Sequence, residues 1–80
     1  MSQKTYDLME QLVKAQRSDC LSRAAGFTTI QGDAYSRTVG NIMAILKTAK
    51  TIADIDRELE LTIKYINSNV KSREKTAQTP

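Results

Sequence analysis

The chain has 80 residues, 12 Lys and Arg against 9 Asp and Glu, no histidine and a single cysteine. This length supports one small domain with a marginal core, and the lone Cys20 excludes an intrachain disulfide. Without histidine the chain also lacks the ligands of a structural zinc site. Short chains without disulfides or metals usually rely on oligomerisation, so we expect self-association.

The first predicted element is a helix over residues 3–25. Its apolar face is made by two pairs of residues spaced four apart: Leu8, Met9, Leu12 and Val13. Ser2 or Thr5 has the short polar side chain of an N-cap. Gly26 is a natural residue to follow the end of such a helix.

Residues 26–33 are the clearest non-helical stretch of the sequence. They contain two glycines, two adjacent threonines and an aspartate, which favour turn or extended backbone. Asp33, the last of them, stands where the N-cap of the next helix belongs. The sequence therefore predicts a connection over residues 26–33 and a second helix that begins at residue 34.

Two further helices are predicted over residues 34–49 and 52–72, each with an apolar seam of heptad spacing. The first seam follows a 4-3-4-3 spacing and is widened by Met43 and Ile45; its members are Tyr35, Val39, Ile42, Leu46 and Ala49. The second seam follows a 4-3-4 spacing and consists of Leu59, Ile63, Ile66 and Val70. Because heptad seams are typical of closely packed helices, these two seams are expected to hold the protein together.

The residues between the two seams allow two structures. Thr51 as N-cap and Asp54 three residues later form a capping box, which predicts an antiparallel helical hairpin turning at residues 48–51. No glycine or proline lies between residues 41 and 72, so the alternative is one helix of about 40 residues with a local change of phase. A helix that long would need a partner along its whole apolar face. We therefore favour the hairpin, packed in a homo-oligomeric helical bundle.

The C-terminal residues 71–80 are basic and polar, with Ala77 as their one apolar residue. Such a segment buries too little surface to offset the entropy lost on ordering. We therefore expect a single helical domain over residues 1–70, followed by a disordered basic tail over residues 71–80.

Gly40 lies inside the second predicted helix, where glycine costs about 0.5–1 kcal/mol relative to alanine. It borders the first seam between Val39 and Ile42. Two interpretations stay open. Gly40 allows a close helix–helix approach, within the chain or across a dimer interface, or a marginal helix simply tolerates it.

The sequence offers little catalytic equipment. Its densest group of carboxylates has members spaced two residues apart: Asp54, Asp56, Glu58 and Glu60. Residues two apart on a helix do not converge, so a solvated face is favoured over a catalytic site. Glu60 precedes Lys64 by four residues, the order of a surface ion pair, and Cys20 is interpreted as a packing residue. We therefore expect no enzymatic activity, no metal site and no cofactor.

The longest apolar run has five residues, from Ile42 to Leu46, against the ~20 needed to span a bilayer. Residues 1–7 lack the uninterrupted apolar run of a signal peptide. The unpaired Cys20 suits a reducing compartment. These features predict a cytoplasmic protein without membrane contact.

Without catalytic groups, the apolar seams carry the functional interpretation. We expect a small non-enzymatic regulator that binds another protein through helix faces and also forms a homo-oligomer. In scale and in its lack of motifs the chain is similar to antirepressors and inhibitors of phages and mobile elements, which act by binding a repressor or a nuclease complex. Some seam residues must belong to the core, and the sequence does not divide the two sets. The residues expected at the protein-interaction or oligomer interface are Tyr35, Val39, Ile42, Met43, Leu46, Leu59, Ile63 and Ile66.

Two other functions stay open. Residues 21–39 resemble a helix-turn-helix in parts, with residues 24–28 as the end of a first helix and its turn, and residues 36–39 as the start of a reading helix. The connection is longer than the 3–4 residues typical of that motif, so nucleic acid is not the favoured partner. The candidate nucleic-acid contacts are Arg37, Asn41, Lys71, Arg73 and Lys75. The second alternative is a structural or assembly subunit of a larger complex.

Overall fold

The computed structural model describes residues 2–23 and 30–78, and within them the side chains of residues 2–23 and 32–73. The three elements in these ranges are all helices: α1 spans Gln3–Ser22, α2 spans Ile30–Thr48 and α3 spans Ile52–Gln78. The predicted all-α fold of three helices is therefore confirmed. No helix of the described residues is long and apolar enough to cross a membrane.

The first helix begins at the predicted cap. Ser2 has extended backbone, and its Oγ accepts a hydrogen bond from the Thr5 amide at 3.3 Å. At the other end, the Ser22 hydroxyl donates to the Asp19 carbonyl at 2.7 Å and satisfies one of the last helical acceptors. The helix ends at Ser22 rather than near residue 25, and the predicted stop at Gly26 lies outside the described residues.

The second helix begins earlier than the sequence indicates. It starts at Ile30, so Asp33 lies in the first turn rather than at the N-cap, and the predicted non-helical stretch is wrong for residues 30–33. The physical reason is that an acidic side chain is favourable throughout the first turn, where it faces the positive end of the helix dipole. Residues 24–29 of the predicted connection lie outside the described residues.

The break between α2 and α3 confirms the capping box and excludes the single long helix. The Thr51 hydroxyl accepts a hydrogen bond from the Asp54 amide at 3.1 Å, as an N-cap does. Asp54 reaches back to the Lys50 amide, which donates to its Oδ2 at 3.3 Å. The reciprocal bond of the box is thus made one residue earlier than in the usual motif, in which it goes to the N-cap amide.

This capping arrangement makes the start of α3 sensitive to acid. The Lys50 amide, the Arg57 guanidinium 3.0 Å away and the Thr51 hydrogen bond hold the pKa of the Asp54 carboxyl below its ordinary value. A carboxyl whose pKa is lowered by folding contributes stability that is present above its unfolded pKa and lost as the pH falls through the folded pKa. We therefore expect the first turn of α3 to loosen on acidification.

A carbon-detected NMR titration of the Asp54 carboxyl, with the urea-unfolded chain as the comparison, measures this effect. We expect Asp54 to titrate at lower pH in the folded chain than in the unfolded chain, and the Asp54→Asn variant to lose its share of the acid dependence of unfolding. An Asp54 pKa at or above the value of an aspartate in a flexible peptide would contradict the prediction.

The third helix extends past its predicted end at about residue 72 and includes residues of the predicted disordered tail. It continues to Gln78, because Arg73 forms an ion pair with Asp19 of α1 and anchors the last described turns. Adding a turn to an existing helix costs far less than starting one, and Lys, Arg, Glu, Ala and Gln are good helix formers. Apolar burial alone does not predict this polar anchor.

The core forms where the three helices meet. It consists of Leu8, Leu12, Ala15, Ile45, Leu59, Ile66 and Val70, with Met9, Ile42, Ala49, Ile55 and Ile63 packed against it. Helix α1 makes the most extensive contacts with both other helices, and α2 and α3 contact each other least. The antiparallel hairpin of α2 and α3, and its packing in an oligomer, therefore stay predictions.

Helices α1 and α3 run parallel. Near their N-terminal ends, Thr5 donates to Asp56 at 2.6 Å, and Lys4 lies 3.1 Å from Glu60. Near their C-terminal ends, Arg73 donates to Asp19. Because these contacts join the two N-terminal ends to each other and the two C-terminal ends to each other, the helices must point in the same direction.

Candidate protein-interaction site

One face of α2 exposes large apolar side chains to solvent. The side chains and their exposed fractions are Tyr35 51%, Val39 53%, Met43 58% and Leu46 49%. At 3.6 residues per turn, these four positions lie within about 80° of the helix circumference. We call this set the α2 face. Single exposed apolar residues are common on proteins, but a contiguous set of them marks a candidate interaction surface.

A different side of α2 is buried. Ala34, Thr38 and Ile45 are exposed by 1%, 3% and 8%. The Thr38 hydroxyl is satisfied because it donates to the Ala34 carbonyl at 2.7 Å. Ala34 and Thr38 thus occupy the close contact with the core together with Ile45, while Tyr35 and Val39 remain outside. Hydrophobicity by itself ranks Tyr35 and Val39 above Ala34 and Thr38, which is why the sequence does not identify the buried side.

The structure divides the eight predicted interface residues into three groups. Tyr35, Val39, Met43 and Leu46 form the exposed α2 face. Ile42 and Ile63 are half-buried and pack against the core. Leu59 and Ile66 are buried within the core, so in this fold they are not accessible to a second chain.

Beside the α2 face, a small groove separates α1 from the N-terminal part of α2. Its volume is about 220 Å³, and it is lined by Glu10, Val13, Lys14, Arg17, Ala34 and Tyr35. Lys14 lies 3.7 Å from Glu10 along α1, an exposed ion pair of little energetic weight. The groove adjoins the α2 face at Tyr35, and its lining contains both acidic and basic side chains.

Three further large apolar side chains are exposed on α3, namely Ile52 at its start, Leu61 at 54% and Tyr65 at 69%. Leu61 and Tyr65 are four residues apart, so they neighbour each other on the helix surface. In the sequence both lie between members of the second seam, and neither is among the predicted interface residues. Because only two residues contribute, this pair is a smaller apolar surface than the α2 face.

Three of the four clustered carboxylates, which the sequence analysis assigned to a solvated face, make structural contacts with different partners. Asp54 caps α3, Asp56 accepts the hydrogen bond from the buried Thr5 hydroxyl, and Glu60 pairs with Lys4. The predicted Glu60–Lys64 surface pair is thus replaced by a contact between helices, because α1 brings Lys4 next to α3. Within the described residues, no group of three or more His, Cys, Asp or Glu is placed to hold a metal ion.

Cys20 is exposed by only 3%. A thiol shielded from solvent in this way packs as a small apolar side chain, which agrees with its interpretation from the sequence.

A buried carboxylate, which the sequence analysis did not single out, connects the C-terminal ends of α1 and α3. The Asp19 side chain is exposed by only 7%; it accepts a hydrogen bond from Arg73 and lies 3.2 Å from the Arg23 Nε. Arg73 also donates to the Ser22 hydroxyl at 2.9 Å. A buried charge is tolerated only when it is paired and hydrogen-bonded, and here two arginines pair with it. This cluster stabilises the fold and offers no open position for a ligand.

The predicted nucleic-acid contacts do not come together as a reading surface. The Asn41 Oδ1 accepts a hydrogen bond from the Gln16 side chain at 2.6 Å, so this amide joins α2 to α1. Arg73 is held by Asp19. Arg37 and Lys71 are exposed on different helices, and the side chain of Lys75 lies outside the described residues. Two of the five predicted contacts are therefore committed to contacts between helices.

The exposed apolar face is the clearest candidate site in the described part of the chain. Comparisons with protein-family models, with curated proteins and with solved structures find no match to this chain.

Proposed function

We propose that this chain is a small non-enzymatic regulator that acts by binding another protein chain through the α2 face. The observation that supports the proposal is the half exposure of four large apolar side chains, Tyr35, Val39, Met43 and Leu46, on one side of one helix. Amphipathic helix faces of this kind dock into apolar grooves or against other helices, with anchors spaced three and four residues apart.

The proposed mechanism is steric. When a partner binds the α2 face, the bound part of the partner's surface can no longer bind its usual target. Antirepressors and inhibitors act in this way. Nothing in this mechanism requires catalysis, a metal or a cofactor. We place the activity in the cytoplasm, where a protein with one unpaired thiol, Cys20, stays reduced.

The test compares proteins retained by the immobilised wild-type chain with those retained by the double variant Val39→Glu/Met43→Glu, using extract from the native cell. The matched control is Tyr65→Glu, which places a charge on an exposed apolar residue of α3. We expect a defined partner to be retained by the wild type and the control, and to be lost from the double variant. Quantitative mass spectrometry measures the difference.

Circular dichroism and thermal melts show whether each variant remains folded. We expect that it does, because all three substituted positions are exposed and a surface change usually alters the free energy of unfolding by less than about 0.5 kcal/mol. A set of retained proteins that is identical for the wild type and the double variant would contradict the proposed function.

A further inference from the structure

The α2 face has a self-complementary pattern about its midpoint. Around position 41, Tyr35 and Val39 lie six and two residues before it, and Met43 and Leu46 lie two and five residues after it. A twofold axis near this point would place Val39 opposite the Met43 position of an antiparallel copy, and Tyr35 opposite the Leu46 position. An interface between two identical chains requires this kind of self-complementarity, because one patch serves both sides.

Charges at the two ends of α2 follow the same symmetry. Asp33 lies in the first turn and Lys47 in the last turn of the helix, and both are exposed. In an antiparallel pair, the same flank of both helices meets, so each Asp33 would lie beside the Lys47 of the other copy. In a parallel pair, opposite flanks of the two helices meet, so Asp33 and Lys47 would not form these ion pairs.

Gly40 supplies an independent observation. A Cβ atom at Gly40 would have no atom within 4 Å, so among the described residues no contact within the chain explains a glycine here. A close approach within the described part of the chain therefore does not account for Gly40. Gly40 lies next to the midpoint of the α2 face, on the same flank as Ser36 and between Asp33 and Lys47. Small residues at that position allow two helix backbones to approach closely where they cross.

The small core adds a thermodynamic reason for a second copy. Only nine apolar side chains of the described residues are buried, and two of these, Ala15 and Ala34, are alanines. Chains of this size without disulfides or metals commonly add apolar burial by association. Covering the α2 face in a dimer would remove four half-exposed apolar side chains per chain from water.

From this pattern we infer that the α2 face is covered by a second copy of this chain, with the two α2 helices antiparallel about a twofold axis near residues 40 and 41. The inference rests on the proposed function, because it names the protein chain that covers the proposed binding face. A separate regulated protein that binds the α2 face would then compete with the second copy for this face.

Sedimentation equilibrium over a concentration series tests the inference. We expect the mass to rise from 8.9 kDa toward twice that value, and Val39→Glu to weaken association roughly 100-fold or more by placing a charge in the apolar contact. Tyr65→Glu, outside the face, should leave association unchanged. A wild-type chain that stays monomeric up to about 1 mM, a dimer insensitive to Val39→Glu, or a mass beyond two chains would each overturn the inference.

A charge exchange tests the antiparallel register. Asp33→Lys and Lys47→Glu should each weaken the dimer by about tenfold, because each dimer contains two such pairs. The combined variant should recover the wild-type affinity. Single variants without effect would overturn the antiparallel arrangement.

The two proposals fail in distinguishable ways. If the wild type is monomeric and retains a partner that is lost when the α2 face is substituted, only the dimer is overturned. If Val39→Glu dissociates a dimer but the α2 face retains no other protein, the regulatory function is overturned and the dimer is supported.

Discussion

Replacement of Leu59 by alanine is expected to destabilise the fold by about 2–5 kcal/mol, the largest effect of any single apolar substitution on α3. Leu59 is fully buried in the cluster where the three helices meet, so the truncation loses its transfer free energy and leaves a cavity between packed elements. A domain of this length has a total stability of roughly 4–12 kcal/mol. The variant should therefore be partly unfolded near 37 °C.

Urea unfolding followed by circular dichroism at 222 nm measures this loss. Leu61→Ala is the matched control, because it removes the same atoms two residues away on the same helix from a side chain that is 54% exposed. The control should change the free energy of unfolding by less than about 0.5 kcal/mol. Equal effects of the two substitutions would show that α3 does not present Leu59 to the core.

Replacement of Arg73 by alanine is expected to cost about 1.5–3 kcal/mol, the usual range for a hydrogen bond to a charged group. The substitution leaves the buried Asp19 carboxylate with Arg23 as its remaining ion-pair partner and removes the hydrogen bond to Ser22. The ion pair also holds the end of α3 against α1. We therefore expect a loss of helical signal together with the loss of stability.

The matched control is Lys71→Ala, which removes an exposed cation two residues earlier on the same helix. It should be nearly neutral. A double-mutant cycle with Asp19→Asn isolates the coupling, which should account for most of the Arg73→Ala effect. Additive effects of the two substitutions would contradict the ion pair as the anchor of α3.

Much of the local structure was predictable because its causes are local. Ser2 and Thr51 cap helices through their own side chains, and Asp54 completes the box three residues later. The spacing of Leu59, Ile66 and Val70 predicted one buried stripe of α3, and these residues are in the core. Each of these features depends on residues within about three helical turns, so periodicity and cap chemistry suffice to find them.

The features that the sequence did not reveal depend on contacts between distant residues. Nothing near Asp19 in the chain indicates that Arg73, 54 residues away, would pair with it and extend α3 beyond residue 72. Likewise, the seam of α2 predicted which residues are apolar but not which side faces α1. The buried side of α2 carries Ala34 and Thr38, whose small side chains allow close packing.

The sequence by itself determined the helical class, the number of helices, the break at Thr51 and the absence of a disulfide, since these follow from periodicity, cap residues and composition. Only the tertiary structure decided that the second seam is core and that most of the first is exposed. The physical reason is that burial depends on which faces three helices can present to one another at once. That constraint left Tyr35, Val39, Met43 and Leu46 outside the core, and they carry the proposed function.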